Sequence, residues 1–469
     1  MASLEAYAQT ASEVLLGSLD YKLPAGASYI VDRRSSQFLT SAAGSFTSDN
    51  VRQFRINLTS ENGFADLATA RLSFRIKNTA AERGLAENIA NNGDTYRVYP
   101  KAGPWSFIYR LQVFAAGQPI SDIQHYGRLH EMLFRLSPKD WKLQNGALDY
   151  TWAPGTTPDS SAQIGFIENG DTATVSMQLM EGIFQSGKMW PLRFAPLSVV
   201  CELAPAAYAC QQWALANQTV LNNANTATAN VTINAVRTFE IQDPRIHVDV
   251  VTLDTGLQNE YAKLLLSGKA LTLPINQFVT FNQSIRGTNP VVSITRAASR
   301  LRHIFWSFQR EVTDDYQRTM SEVNDFTHPT AFMLRRPGAI TDKWNYETRW
   351  MLGPKLLPEH PIRYTHEYYG HLLKTIGLMW DKEEPIDLSL QHYTTDCHIG
   401  AIDCERALGV SWTGLNSRSG DLLTVQFTNL YQPAALGGAA AQDTVPQLHV
   451  TLVCEAVVEI RDTSVTLLD

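Results

Sequence analysis

The chain has 469 residues, 44% of them hydrophobic and 10% aromatic, which is material for two cores and more than one ordinary domain of about 100 to 200 residues would hold. Only 18% are charged, the formal net charge is −7 and the pI is near 5.9, so no dedicated phosphate-binding surface and no specific nucleic-acid binding are expected. No stretch approaches the roughly 18 uninterrupted apolar residues of a membrane span, and the odd, scattered set Cys201, Cys210, Cys397, Cys404 and Cys454 points to reduced thiols without a disulfide framework.

Leu4, Tyr7, Ala8, Ala11, Val14, Leu15 and Leu19 recur at helical steps and predict an amphipathic N-terminal arm over 1–24, broken before Pro24. It lacks the basic and apolar regions of a signal peptide. Its apolar face either packs on its own domain or reaches a neighbouring subunit or an internal membrane surface. Without entry into a secretory pathway, the sequons at Asn57, Asn217, Asn230 and Asn282 read as chance matches.

From residue 29 the hydrophobic period changes to two. Phe54, Ile56 and Leu58 alternate with polar residues in 51–60, and Leu72, Phe74 and Ile76 do so in 71–77, which predicts two half-buried strands. A longer strand is expected over 105–114, ended by Ala116-Gly117-Gln118-Pro119. Tyr126, Leu129, Leu133 and Leu136 then mark a short helix closed by Pro138. Strands are predicted over 174–179, 197–203, 230–236 and 246–254, with polar connections at 150–172 and 212–229. The segment 255–268 reads as a helix capped by Thr255 or Asp254 and ended by Gly268.

The second half repeats the plan, with strands at 278–285, 291–297, 301–308, 422–430 and 448–460 around an aromatic-rich region over 340–400. An internal echo, Gly170-Asp171-x-x-Thr174-Val175-x-Met177 against Gly420-Asp421-x-x-Thr424-Val425-x-Phe427, and similar closing text at 248–255 and 464–469 suggest a tandem duplication. The predicted fold is all-β: two tandem eight-stranded jelly-roll sandwiches with short inserted helices and long loops. Its expected parts are the arm 1–24, a first jelly roll over 25–254, a linker helix over 255–268 and a second jelly roll over 269–469.

Motifs for chemistry are sparse, and no catalytic, cofactor-binding or metal-ligating residue is assigned. His366-Glu367-Tyr368-Tyr369-Gly370-His371 resembles a zinc-protease helix but places its second His at i+5, about 140° round from the first. It is read as an aromatic-rich loop or strand end. Cys397, His398, Cys404 and His392 lack any C-x-x-C spacing and are read as buried thiols and their neighbours. Ser186-Gly187-Lys188 lacks the upstream glycine of a phosphate loop. Aromatic and basic residues interleave in 141–152 and 343–350, either as loop packing and subunit contacts or as a sugar- or base-stacking surface.

Pro104-Trp105-Ser106-Phe107, Arg110-Leu111-x-Val113, Gly117-Gln118, Ile123 and the helix Tyr126 to Leu136 together resemble the first jelly roll of major capsid proteins from polinton-like viruses and virophages. The segment 29–38 is similar to the opening strand of that group. The segment 248–266 is similar to the strand-and-helix join in capsid proteins of larger nucleocytoplasmic DNA viruses. The resemblance implies a structural protein of the virion, assembled inside the host cell, whose homotrimers form pseudo-hexameric capsomers that tile an icosahedral shell in the adenovirus-like lineage. It implies as partners neighbouring capsomers, penton and minor capsid or cement proteins, with the arm facing an internal membrane or the genome. Loops around 150–172, 212–229 and 313–345 are the candidates for an outer tower. The alternatives are a carbohydrate-binding or glycan-hydrolysing β-sandwich protein, or a minor capsid or spike protein.

Overall fold

The computed structural model describes residues 29–40, 44–61, 63–79, 96–100, 102–138, 140–142, 167, 170–214, 239–287, 289–309, 323, 325–326, 346–377, 386, 388, 390–395, 397–406, 413–418, 422–430, 447–461 and 464–468. In its first half the strands are β1 (Ile30–Leu39), β2 (Ser45–Thr47), β3 (Gln53–Leu58), β4 (Gly63–Asn78), β5 (Tyr96–Pro100), β6 (Ile108–Ala115), β7 (Gln118–Gln124), β8 (Thr172–Gln178), β9 (Trp190–Pro191), β10 (Leu197–Leu203), β11 (Cys210–Ala214) and β12 (Phe239–Leu253). The second half holds β13 (Leu271–Ser284), β14 (Val291–Ile294), β15 (Leu301–Gln309), β16 (Glu347–Leu352), β17 (Lys355–Ile362), β18 (Gly400–Asp403), β19 (Leu423–Thr428), β20 (Gln447–Ile460) and β21 (Val465–Leu468). Three helices matter below: α1 (Tyr126–Leu136), α2 (Thr255–Leu266) and α3 (Thr365–Thr375).

Each half is a sandwich with the same strand order. One sheet of the first runs β1-β12-β4-β8 and the other β3-β10-β6-β7; the second has β13-β20-β15-β18 and β14-β19-β16-β17. Numbering the core strands of either half one to eight in chain order, both halves read 1-8-3-6 over 2-7-4-5, the jelly-roll order, with every listed pairing antiparallel. A helix bridges the fifth and sixth core strands in both halves, α1 in the first and α3 in the second.

The alternation expected for 51–60 is present in β3, where Phe54, Ile56 and Leu58 are buried between exposed neighbours. In β20 the alternation vanishes, because Val450, Leu452 and Cys454 face their own core while His449, Thr451 and Glu455 are buried on the other face as well. At Gly400 the sequence allows a close approach: a Cβ there would lie 2.1 Å from Cε2 of Trp306, its partner across β15 and β18. Gly400→Ala should therefore destabilise by about 1 to 3 kcal/mol, the usual cost of overpacking, and a thermal melt no lower than the parent's contradicts that packing.

Several expectations change. The strand expected from residue 105 starts at Ile108, because Pro104–Phe107 forms a 3-10 turn that buries Trp105. The two Gly-Asp echoes do not mark equivalent places: Thr172–Gln178 is the sixth core strand of its sandwich and Leu423–Thr428 the seventh of its own. A turn feeding an alternating strand recurs wherever a sheet has one wet face, so the match was generic. Likewise 248–253 lies in an eighth core strand, whereas 465–468 is an extra strand beside β20. The arm 1–24 and the strand expected over 230–236 lie outside the described residues.

The connections sort by length to opposite ends. In the first sandwich Asn78 at the end of β4 pairs with Phe239 at the start of β12, and Lys77 pairs with Thr172 at the start of β8. The long connections 79–95, 125–171 and 215–238 therefore share one end, while the turns 59–62 and 116–117 lie at the other. In the second sandwich Gln309 pairs with Gln447 and Trp306 with Gly400, which puts 310–346, 363–399 and 429–446 at one end too. At the opposite end Ile30 pairs with Leu253 and Leu271 with Ile460, so β1 begins there and α2 joins the two halves there.

Candidate functional site: the seam and the exposed sheet edges

The two sandwiches meet edge to face, with β7, α1 and residues 179–188 of the first against β13, β15 and β20 of the second. Thr280 Oγ1 donates to the Gln124 carbonyl at 2.8 Å, and Gln277 Nε2 donates to the Ile120 carbonyl at 3.4 Å. The buried Arg128 of α1 donates to Ser307 Oγ at 2.8 Å and to the Phe308 carbonyl at 3.3 Å, and its guanidinium lies 4.4 Å from the ring centre of Phe326. Since β7 and α1 adjoin the long-connection end of the first sandwich and Phe308 that of the second, both sandwiches carry their long connections on the same side.

Helix α1 is held from within. Its buried Glu131 accepts from Trp105 Nε1 at 3.0 Å and from Arg135 Nε at 2.8 Å, and Trp105 stacks on His130 with ring centres 4.2 Å apart. Three imidazoles are buried here: burial and Arg128 push His125 down to about 4, burial alone pushes His130 down to about 3, and burial, Arg128 and His125 hold His449 well below its usual value. Burial pushes the seam carboxylate Glu181 up to about 7, although Oε2 accepts the Ile183 N–H at 2.9 Å. Next to it Gly182 packs so closely on β13 that a Cβ would sit 1.7 Å from the Asn276 carbonyl oxygen.

Beside the seam opens a cleft of about 1010 Å³ between α1 and the outer face of the second sandwich. Its charges are largely matched in place: Arg302 pairs with Glu405, and His303 Nδ1 lies 3.5 Å from Asp403 Oδ1. Burial would raise the Asp403 carboxyl, but its bonds with His303 and the Glu405 N–H outweigh that and leave it lowered. Neutralised pairs of this kind hold walls in place and leave no poised acid and base.

The residues singled out by motif do not converge. His366 stacks on Tyr364, whereas His371 faces His360 with ring centres 6.4 Å apart. That segment is helix α3 and not a loop, since Glu367 reaches back to accept the Arg363 N–H at 2.9 Å and so caps the first turn. Gly370 interrupts neither the turn nor any packing, and Gly370→Ala should add about 0.5 to 1 kcal/mol of stability in urea titration; a loss would contradict its open surroundings. Cys397 is buried next to Arg135, His398 hydrogen-bonds Tyr346, Cys404 lies nearer Cys454, and His392 is exposed. Among the described residues no group of three His, Cys, Asp or Glu side chains could hold a metal ion. Lys188 reaches across the seam to the Thr272 carbonyl. Tyr346 and Trp350, read as part of an exposed aromatic run, are core residues of the second sandwich, while Trp141 is half-buried against Phe134.

Two sheet edges stand open. Strand β1 is exposed along nearly its whole length, including Ile30, Val31 and Leu39, and pairs only through β12. Strand β17, at the far edge of the second sandwich, is exposed at Lys355, Leu356, Glu359 and His360. Long unpaired edges are sites where chains associate.

Tandem jelly rolls with parallel orientation, joined by a helix and seamed through a buried polar cluster, define the double jelly-roll fold. Solved structures share it. The chain superposes on the structure of the Sputnik virophage with a TM-score of 0.59 at 13% identity, covering 97% of this chain and 92% of that one. It superposes on the PBCV-1 virus capsid with a TM-score of 0.57 at 12% identity, covering 95% and 98%. For the Faustovirus major capsid protein the TM-score is 0.52 at 8% identity, covering 97% and 94%. No protein-family model and no curated protein sequence matches the chain.

Proposed function

We propose that this protein is the major capsid protein of an icosahedral DNA virus, a structural component of the virion and not an enzyme. Three copies would form a homotrimeric capsomer of pseudo-hexagonal outline, two upright sandwiches per copy, and capsomers would tile the shell with penton and cement proteins at its special positions. The observation that carries the reading is the polarity of the molecule: two sandwiches of identical strand order, side by side, with the long connections of both on one side. A shell subunit needs such a distinction between its two surfaces.

On this reading the long-connection end faces outward. The tower candidates 150–172, 212–229 and 313–345 lie almost wholly outside the described residues, but the connections that contain them leave from that end. The chain enters β1 at the opposite end, which would set the arm 1–24 against the interior, near a membrane or the genome. The same reading divides the chain at α2, with jelly rolls over 25–254 and 269–469. Negative-stain electron microscopy of the concentrated protein tests the proposal. Particles of six-lobed, near-hexagonal outline are expected; a uniform field of isolated two-lobed particles would sink it.

A further inference from the structure

The seam within one chain defines how the next chain attaches. Inside the chain, β7, the free edge of the 2-7-4-5 sheet in the first sandwich, lies against β13, the free edge of the 1-8-3-6 sheet in the second. The same two kinds of edge remain unused elsewhere: β17 is the counterpart of β7 in the second sandwich, and β1 is the counterpart of β13 in the first. They are also the long, exposed strands already noted. We propose that β17 and α3 of one copy dock on β1 and the adjoining outer sheet face of a second copy, repeating between chains the seam that joins the two sandwiches within one.

This inference rests on the trimeric reading above and names its contact. Because β17 is unlike β1, the contact is heterologous, and head-to-tail repetition generates a closed ring when the rotation fits. Three chains joined this way alternate first and second sandwiches six times round with one kind of edge-to-edge junction throughout. The surfaces suit each other chemically. Val31 and Leu39 on β1 are 68% and 61% exposed, and Leu356 on β17 is 37% exposed, so apolar area is available on both sides. Arg34 on β1 and Glu359 on β17 are exposed, and neither has an ion-pair partner among the described residues. Helix α3 stands where α1 stands in the internal seam, and it presents the exposed Tyr364 and His366 as α1 presents Arg128.

The test uses two full-length variants, Val31→Asp with Leu39→Asp on β1 and Leu356→Asp with His360→Asp on β17, with mass read by light scattering. Each variant alone should be a folded monomer, with native circular dichroism. Mixed in equal amounts they should give a species of two chain masses, since each brings one intact surface and the pair cannot close a ring. If an Asp variant loses its native spectrum, Arg34→Glu and Glu359→Arg take its place and the same masses are read. Variants that remain trimeric, or a mixture that stays monomeric, would overturn the proposed contact while leaving the trimer standing. A monomeric parent protein would instead remove the capsomer reading itself.

Discussion

Lowering the pH from 7 to 5 should reduce the folding stability of this protein by several kcal/mol, with the seam opening first. His125, His130 and His449 are buried and neutral, with folded-state values below the ordinary 6.5. A depressed value means that the unfolded chain takes up these protons first. The stability is whole above about pH 6.5 and is lost as pH falls toward 4, at about 1.4 kcal/mol per pH unit for each imidazole. Three such groups lose roughly 6 kcal/mol by pH 5. Glu181 acts in the opposite sense, because its raised value makes it most stabilising when protonated, and it returns about 2 kcal/mol over the same interval. The net loss of roughly 3 to 4 kcal/mol is a large part of the 5 to 15 kcal/mol typical of a folded domain. His125 and His449 meet across the seam with ring centres 5.3 Å apart, and no carboxylate is among the groups acting on either ring. Urea midpoints at pH 7 and pH 5 measure the effect. His125→Asn, which keeps a residue suited to the left-handed φ of 52° there, should flatten the pH slope. Equal midpoints at the two pH values in the parent would show that these imidazoles are not held neutral.

Gly182→Ala should separate the two sandwiches. The added Cβ would lie 1.7 Å from the Asn276 carbonyl oxygen and 2.7 Å from its carbon, and both belong to the backbone of a central seam strand. Neither side can yield by a side-chain rotation, so β13 and residues 179–188 must part. Overpacking costs about 1 to 3 kcal/mol where a side chain can move, and the upper part of that range or beyond is expected here. Parting would also expose Glu181 and the histidines, so the variant should show a weaker pH dependence than the parent along with its lower melting temperature. An unchanged melt would mean that the sandwiches are not in register as described.

Much of the fold was legible because most strands have one wet face. The alternation in Phe54, Ile56 and Leu58 or in Val425 and Phe427 reports a sheet directly, and α2 carries its own cap, with Asp254 accepting the Gly256 N–H at 3.0 Å. Tandem sandwiches followed from length and strand spacing. What stayed hidden was set by distant contacts. Trp105 is buried in a 3-10 turn because Glu131, on a helix twenty-six residues later, accepts its indole N–H, and no local pattern distinguishes that from a strand. Helix α3 was missed because Gly370 and its aromatic neighbours read as irregular, whereas burial of Tyr368 and Leu372 secures the helix. The seam was the least visible part. His125, Arg128, Glu181 and Gly182 form no motif, and each gains its meaning from β13, β15 and β20, more than ninety residues further along the chain. The continuous apolar run of β20 was its one local trace, since a strand covered on both faces must have something against each.

The most direct test of the central claim is the native mass of the purified protein, by light scattering on a size-exclusion column at neutral pH. A stable species of three chain masses, each 52.3 kDa, that persists on dilution and in salt is the predicted result. A single chain mass at every concentration would contradict it.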